Sequence, residues 1–254
     1  MSAPGDRHSG PRRLGPTEDE RLFSVPHPTE RRREFVSSDP WRVLRIMGEF
    51  VEGFDTLAGV HSGVTFFGSA RTRPDDAHYR AATETARRFA GAGFSIITGG
   101  GPGIMEAANR GAAEAGAPSI GFNIGLPHEQ EPNGYSTPDL TFLFHYFAVR
   151  KFHLVMRANA LVVFPGGIGT LDELFEVLTL VQTSKMPRVP IVLIGRSYWS
   201  KVINFEWLVQ EGMVDNLDLE LFSYADDAEG TWQELLRLGL RFGPRPPGLP
   251  SLSI

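Results

Sequence analysis

The sequence predicts an α/β fold in which helices cover both faces of one parallel sheet, a Rossmann-like, doubly wound arrangement. Short apolar runs alternate with segments of helical apolar spacing from Val64 onward, and such alternation gives a parallel sheet with right-handed crossovers. Two of the strand-to-helix turns are rich in glycine, as in folds that bind ligands at that edge of the sheet. The 254 residues can bury one sizeable core, so we expect a single domain.

The strands are expected where β-branched and aromatic residues cluster between glycine, proline and polar residues. They lie near residues 64–68, 94–98, 118–123, 140–144, 160–164 and 190–194. Helices are expected near 76–91, 103–115, 145–158, 170–183 and 197–211, and a last helix over 231–240 closes the domain. An added helix near 41–57 precedes the first strand, because its apolar residues recur at helical spacing.

The two ends of the chain differ in composition from the predicted domain at residues 36–243. Residues 1–35 are rich in Pro, Gly, Arg and Glu and poor in apolar residues, so we predict a disordered or loosely attached tail. Its charged stretches at 18–20 and 30–33 could instead lie on a partner subunit. Residues 244–254 contain four prolines and are predicted to form a flexible tail.

Composition narrows the function classes. The net charge of −5, without a strongly basic block, argues against general nucleic-acid binding. Cysteine is absent, which leaves no disulfide framework, thiolate nucleophile or cysteine metal site, and the histidines lack metal-ligand spacing. The sequence contains no apolar run as long as a membrane span and no apolar signal core at its N-terminus. We therefore predict a cytoplasmic protein without a metal or a membrane partner.

The most informative segment is residues 160–173, which read ALVVFPGGIGTLDE. An apolar strand is followed by Gly166, Gly167 and Gly169, which are predicted to turn the chain with φ values that other residues avoid. Glycines leave their backbone N–H groups uncovered, and the N-terminus of the following helix adds a partial positive charge. The segment therefore predicts an anion site suited to a phosphate, with Thr170 as the N-cap of the helix.

Glu173 has two interpretations from the local pattern. Thr170 and Glu173 have the spacing of a capping box, in which the glutamate only bonds the N-cap amide. Alternatively, Glu173 is a carboxylate placed beside a bound anion for chemistry. The local pattern favours neither interpretation.

Two further turns are predicted to meet the same crevice. Residues 98–103 (TGGGPG) follow a strand, and Ser69 ends the first predicted strand. Carboxyl ends of adjacent parallel strands meet at one edge of a sheet, so these turns, including Gly101, should converge. Neither glycine cluster has the spacing of a dinucleotide fingerprint, and no Walker lysine follows either. A monophosphate is thus favoured over NAD or ATP, and no cofactor is predicted.

Three motifs taken together resemble those of one family. They are PGGIGTLDE at 165–173, Arg150 with Lys151 on the preceding helix, and GGGPGIM at 99–105. Over about residues 60–212 the chain is similar to the Lonely Guy (LOG) family of cytokinin riboside 5′-monophosphate phosphoribohydrolases. Similar proteins have been called lysine decarboxylases, but pyridoxal phosphate chemistry needs a Schiff-base lysine, and no residue pattern indicates one.

The resemblance implies that Arg150 and Glu173 form the catalytic pair. It implies that the glycine loop holds the 5′-phosphate, with Lys151 nearby and with Glu129 and Thr179 as further contacts, although the alignment at Glu129 could shift to Glu131. Together with the converging turns, the expected substrate-binding residues are Ser69, Gly101, Glu129, Lys151, Gly166, Gly167, Ile168, Gly169, Thr170 and Thr179. Members pair with the site at the shared face and longer bacterial forms assemble further, which implies a homodimer or higher oligomer.

The implied reaction fits the residue types. Cleavage of an N-glycosidic bond builds positive charge on the ribose, so a carboxylate at Glu173 would stabilise the transition state and polarise water. Arg150 would orient the glutamate or a ribose hydroxyl through its planar guanidinium. A phosphate held in the glycine loop would contribute remote binding energy to positioning the sugar.

Several other residues have a structural interpretation beside the functional one. Asp172, Glu106, His145 and His153 could protonate the departing base by residue type alone, but the pattern favours a surface or packing role for each of them. Arg150, His153 and Arg157 also fit a solvated basic stripe. The aromatic residues Phe142, Phe144, Tyr146 and Phe147 are expected to be core, with one or two lining a base pocket.

Two classes of function therefore remain open for this sequence. The first class is an enzyme that hydrolyses adenine-type nucleoside 5′-monophosphates, N6-prenylated ones included, or a broader AMP or purine nucleotide nucleosidase. The second class is a nucleotide-binding protein without turnover. Arg150 and Glu173 favour the enzyme, because a binder needs no carboxylate beside an anion.

Overall fold

The computed structural model describes residues 15–23, 39–125 and 131–241. Within these residues the strands form one seven-stranded sheet in the order β4-β3-β2-β1-β5-β6-β7, and all neighbouring strands are parallel. The strands are β1 Gly63–Phe67, β2 Ser95–Thr98, β3 Ser119–Ile124, β4 Thr141–Phe144, β5 Ala158–Val163, β6 Ile191–Ile194 and β7 Ser223–Ala225. The predicted α/β class is confirmed.

Helices cover both faces of this sheet. They are α1 Glu18–Phe23, α2 Asp39–Thr56, α3 Ala77–Gly91, α4 Ile104–Glu114, α5 Phe147–Met156, α6 Ile168–Gln182, α7 Arg196–Val202, α8 Phe205–Gln210 and α9 Ala228–Arg237. Short 3-10 turns lie at Leu57–Gly59, Pro138–Leu140 and Asn216–Leu221. Within the described ranges, no helix combines the length and the apolar character that crossing a membrane requires.

The central strands are buried on both sides, which explains their nearly continuous apolar sequences. In β5, Leu161 and Val163 belong to the core shared with α5, α6 and α7, whereas Ala160 and Val162 face the core shared with α3, α4 and α9. Successive side chains of a strand point to opposite faces, so one short run supplies both cores.

The order of the strands fixes the position of the ligand crevice. From β1 the chain adds β2, β3 and β4 on one side, then returns to place β5 against the other side of β1. This reversal lies between β1 and β5, where Phe67 pairs with Val163. In open α/β sheets, ligands bind outside the carboxyl ends of the strands at such a switch point. Both the Ser69 turn and the PGGIG loop begin there.

Three details differ from the sequence prediction. The edge strand β7 was not predicted, because three residues carry too little pattern. The helix expected over 197–211 is two helices: Ile203 is extended, and the Asn204 side chain accepts a hydrogen bond from the Trp207 amide to begin α8. The last helix ends at Arg237 rather than at Leu240.

Part of the N-terminal segment is attached to the domain. Glu18–Phe23 forms α1 within the range that was expected to be disordered or loosely attached. Glu18 lies 3.1 Å from the Arg45 guanidinium on α2, and the Asp19 carboxylate accepts a hydrogen bond of 3.2 Å from the Phe147 amide. The segment thus contacts the start of α5.

Candidate active site

A cleft of about 880 Å³ opens at the carboxyl ends of β1, β2, β3 and β5. Its walls come from the turns after these strands and from helices α5 and α6. The residues that line it include Ser69, Arg71, Gly99, Gly101, Met105, Asn123, Ile124, Phe147, Arg150, Gly166, Gly167, Ile168, Gly169, Thr170, Asp172, Glu173 and Tyr198. The three turns that the sequence predicted to converge therefore meet in one cleft.

The PGGIG loop is fixed by its neighbours on both sides. The Ser69 amide donates to the Pro165 carbonyl at 3.0 Å, and the Tyr198 hydroxyl donates to the Gly166 carbonyl at 2.5 Å. Gly167 is the N-cap of α6, so the helix begins at Ile168. The first amides of a helix have no partner within it and point along its axis. The residues that carry these amides, Gly167 to Thr170, line the cleft, which is where an anion would meet a helix N-terminus.

Two predictions about this loop are wrong. Thr170 is not the N-cap, because the helix starts two residues earlier than expected. None of the loop glycines has a positive φ. Gly166 is needed for close packing, since a Cβ there would overlap the Thr170 side chain. Gly167 and Gly169 have no described atom within 4 Å of where a Cβ would lie, so the space above them is open to a ligand.

The second glycine turn does require left-handed backbone. Gly100 has φ +71° and Gly103 has φ +70°, a region that favours glycine. The Thr98 hydroxyl accepts a hydrogen bond from the Gly100 amide at 2.9 Å and donates to the Asn109 side chain at 2.6 Å. The Ile104 amide donates to the Ser69 carbonyl at 3.0 Å, which ties the β2 turn to the β1 turn.

Arg150 and Glu173 meet inside the cleft. Their side chains are only 12% and 10% exposed, and Arg150 NH1 lies 3.7 Å from Glu173 Oε1. Arg150 Nε donates to the Phe122 carbonyl at the end of β3 at 2.6 Å, so the guanidinium is anchored to the sheet. Among the described residues, Glu173 Oε2 is buried without a hydrogen-bond partner. Because Thr170 is not the N-cap of α6, Thr170 and Glu173 do not form the capping box that the local pattern allowed.

Burial governs the protonation of this pair. Burial raises the pKa of Glu173 from 4.5 to about 7, against the lowering effect of the Arg150 and Lys151 charges. Burial also lowers the pKa of Arg150, against the effect of Glu173. At neutral pH Glu173 thus populates both the carboxylate and the acid, as suits a group that handles protons.

Most of the expected site residues line this cleft, but Lys151 and Thr179 do not. The Lys151 ammonium lies 2.8 Å from Asp172 and 3.1 Å from Glu176, on the outer side of α6. Thr179 lines a separate, shallow groove along α6. Glu129 lies outside the described residues, and the alternative Glu131 is exposed.

The possible proton donors named from the sequence are mostly occupied elsewhere. His145 lies 2.8 Å from Glu49 on α2, and Glu106 accepts a 2.7 Å hydrogen bond from Tyr79. His153 is fully buried, and its Nδ1 donates a hydrogen bond to the Val149 carbonyl at 2.7 Å. Asp172 alone among these four lines the cleft.

Neither Arg150 nor His153 is part of a solvated stripe, because Arg150 lies in the cleft and His153 is packed between α2 and the sheet. Of the clustered aromatic residues, Phe142, Phe144 and Tyr146 are buried. Phe147 is 42% exposed and lines the cleft. Within the described ranges, no group of three or more His, Cys, Asp or Glu could hold a metal ion.

The sequence analysis did not single out Asn123 or Tyr198. Asn123 interrupts the otherwise apolar run SIGFNI of β3, and this polar residue at a strand end was a usable signal. Tyr198 lies at the start of α7, far along the chain from the loop whose carbonyl it binds, and no local pattern indicates that contact.

The fold and the cleft define a class: an open, parallel α/β protein with a glycine-rich loop at its switch point and a buried arginine–glutamate pair beside it. Residues 105–235 match the family model described as "possible lysine decarboxylase", which spans just over half of the chain. The chain belongs to this family, the LOG family.

Several curated proteins are similar to the chain. The cytokinin riboside 5′-monophosphate phosphoribohydrolase LOG5 of Arabidopsis thaliana is 24% identical over 157 residues, 61% of this chain and 68% of that protein. A bifunctional cytokinin biosynthesis protein of Fusarium pseudograminearum is 27% identical over 188 residues, 66% of this chain. That match spans only 38% of the Fusarium protein.

Two solved structures are similar as well. The crystal structure of the structural-genomics target TM1055 matches with a TM-score of 0.53 at 22% identity, over 70% of this chain and 99% of that one, and supports the fold alone. The molybdenum cofactor carrier protein of Chlamydomonas reinhardtii matches with a TM-score of 0.50 at 26% identity, over 70% of this chain and 96% of that one.

Proposed function

We propose that the protein hydrolyses the N-glycosidic bond of adenine-type nucleoside 5′-monophosphates, N6-prenylated ones included. The products are the free base and ribose 5-phosphate. The observation that carries this proposal is the buried Glu173 carboxyl, with one oxygen unpartnered among the described residues and the other facing Arg150, beside a loop suited to a phosphate. The similar proteins of cytokinin biosynthesis, at 24% to 27% identity, support it.

The geometry suits the proposed chemistry step by step. The amides at Gly167 to Thr170 hold the 5′-phosphate, which fixes the sugar next to the start of α6. As the bond between C1′ and the base nitrogen breaks, its electron pair leaves with the base and positive charge develops on the ribose. The Glu173 carboxylate stabilises this charge and takes a proton from the water that adds to C1′. The departing base takes up a proton from solvent, so the products are the neutral base and ribose 5-phosphate. Arg150, held by the Phe122 carbonyl, keeps the carboxylate in place.

The description of the family model as a possible lysine decarboxylase does not fit the cleft. The lysines of the chain are Lys151, Lys185 and Lys201, and none of them lines it. Lys151 is paired with Asp172 and Glu176. A Schiff base to pyridoxal phosphate needs a lysine in the site, so we propose hydrolysis without an organic cofactor.

Product analysis tests the proposal. The protein is incubated with AMP and with isopentenyl-AMP, and free base and ribose 5-phosphate are separated by chromatography. We expect both products in equal amounts, and their loss in Glu173→Gln. Release of base from AMP and from other purine nucleotides at equal rates would favour the broader purine nucleotide nucleosidase. No release from any nucleotide would refute the enzyme.

One observation favours a second function, a carrier that binds without turnover. The molybdenum cofactor carrier protein of Chlamydomonas reinhardtii shares the fold at 26% identity. A carrier with a phosphate-binding loop would bind AMP with the same affinity in wild type and in Glu173→Gln, and would release no base from it. Calorimetric titration of both proteins, run beside the product assay, separates the two functions.

We also propose that a second copy of the chain covers the mouth of the cleft. Ile168 is 87% exposed at the start of α6, and Phe175 is 39% exposed two turns later. Both residues line the shallow groove that contains Thr179. A partner subunit docked on this groove would place Thr179 next to the site at the shared face. Light scattering after gel filtration should give at least a dimer for wild type and a smaller species for Phe175→Asp.

A further inference from the structure

Asn123, at the carboxyl end of β3, has a buried side-chain NH2 group that has no hydrogen-bond partner among the described residues. Its side chain lines the cleft, the residue is 5% exposed, and Nδ2 contacts no acceptor among the described residues. Leaving a buried donor unpaired costs free energy, so such groups in folded proteins call for an explanation. A bound ligand that supplies the missing acceptor is the explanation that fits a residue in a cleft.

The position of Asn123 relative to the phosphate loop suggests which part of a nucleotide it meets. A Cβ at Gly100 would overlap the Asn123 side chain, and a Cβ at the preceding Gly99 would overlap the Arg150 guanidinium. Asn123 and Arg150 therefore pack against consecutive residues of one turn. The phosphate loop follows β5, three strand spacings or about 14 Å from β3. With the phosphate at β5 and the sugar at Glu173 and Arg150, the base lies toward β3.

The chemistry of a carboxamide then identifies the class of base. Asn presents a donor and an acceptor side by side, which match N7 and the N6–H of a 6-aminopurine. A single substituent on N6 leaves one N6–H for this pairing, whereas a 6-oxopurine offers acceptors at both positions. The neighbouring Met105 and Ile124 are apolar, and hydrogen bonds are stronger in such surroundings.

We propose that Asn123 reads the N6–N7 edge of a 6-aminopurine and, by donating to N7, stabilises the electron density that the departing base gains. This assignment rests on the proposed nucleotide function. A donor to N7 binds the transition state more strongly than the ground state, so its removal lowers kcat as well as affinity. Asn123 would thus assist the leaving group without itself transferring a proton.

The test replaces the carboxamide by an apolar side chain of similar size, Asn123→Leu. Activity is measured with AMP, IMP and N6,N6-dimethyl-AMP, and binding of each nucleotide and of ribose 5-phosphate is measured by calorimetry. Wild type should prefer AMP over both analogues by about 10- to 100-fold, and the variant should lose most of this preference. Affinity for ribose 5-phosphate should stay within about twofold, because the phosphate loop is untouched.

Stability separates this role from a structural one. Because Asn123 Nδ2 makes no hydrogen bond to the described residues, Asn123→Leu should keep or raise the melting temperature, by up to about 4 °C. The matched control is Asn159→Leu at the opposite end of the strands, where the Asn159 side chain accepts a 3.0 Å hydrogen bond from the Gly63 amide. This control should lower the melting temperature and keep the preference for AMP.

Several results would overturn the assignment. If wild type binds IMP or N6,N6-dimethyl-AMP as tightly as it binds AMP, the assignment fails before any variant is made. An unchanged preference for AMP in Asn123→Leu would also overturn the assignment. So would an equal loss of affinity for AMP and for ribose 5-phosphate in that variant. If wild type releases no base at all, the enzymatic proposal fails, but the calorimetric preference still decides the role of Asn123.

Discussion

Replacing Glu173 by Gln should change how the stability of the protein depends on pH. Burial raises the pKa of Glu173 from 4.5 to about 7 in the folded protein. The fold therefore favours the protonated acid: this contribution to stability is fully present below pH 4.5 and is lost as pH rises through about 7. A tenfold change in proton affinity corresponds to about 1.4 kcal/mol, so ionising Glu173 costs the fold about 3 kcal/mol at alkaline pH. Gln does not titrate and avoids that loss.

The assay is urea unfolding of wild type and Glu173→Gln between about pH 4 and pH 9, followed by tryptophan fluorescence. The free energy of unfolding of the variant, minus that of wild type, should rise by about 3 kcal/mol across this range. The burial of Arg150 without its carboxylate adds an offset, but the guanidinium stays charged throughout and does not change the slope. Parallel curves for the two proteins would refute the buried, proton-sensitive carboxyl inferred here.

Glu114→Gln is a control of opposite sign. Hydrogen bonds from Arg87 and Arg110 lower the pKa of Glu114, which is more exposed. Its contribution to stability is present above its ordinary pKa and is lost as pH falls, so this variant should lose stability relative to wild type as pH rises from the acid range.

Three further outcomes are expected. The kcat/KM for AMP should rise about tenfold per pH unit below about 7 and then level off, because the carboxylate form of Glu173 is the active one; a profile that falls with pH would contradict that role. Arg150→Lys should lower kcat by about 100-fold or more, since lysine keeps the charge but loses the planar guanidinium; wild-type kinetics would refute this. On α2, Gly53→Ala should lower stability by about 2 kcal/mol in thermal unfolding, because a Cβ there overlaps the buried His153. In Gly48→Ala on the same helix, the new Cβ has no described atom within 4 Å, and the free energy of unfolding should rise by up to about 1 kcal/mol. Equal effects of the two substitutions would contradict the packing of His153 against Gly53.

The strand and helix pattern was predictable because it depends on local sequence. Buried parallel strands such as β5 read as apolar runs, and glycine-rich turns follow them. The strand β7 escaped detection because an edge strand of three residues pairs through its backbone and needs no marked side-chain pattern. The break between α7 and α8 depends on one extended residue, Ile203, which has no propensity that forbids a helix.

The candidate site was predictable to the extent that its chemistry lies in contiguous motifs. The sequence identified the loop, Arg150 and Glu173, and the structure brings them together. It predicted the wrong start for α6, because the start depends on distant contacts: Ser69 binds the Pro165 carbonyl and Tyr198 binds the Gly166 carbonyl. The unpartnered amide of Asn123 is likewise a property of packing that no spacing of residues reveals.

The bond between Arg150 Nε and the Phe122 carbonyl has a consequence for how the site could change over evolution. Because a main-chain oxygen holds the guanidinium, most of the arginine's rotamer freedom is lost when the protein folds rather than when a ligand arrives. A backbone acceptor is also the same whatever side chain occupies position 122 or its neighbours. The surfaces around the end of β3 are therefore free to diversify toward new ligands while the arginine keeps its orientation.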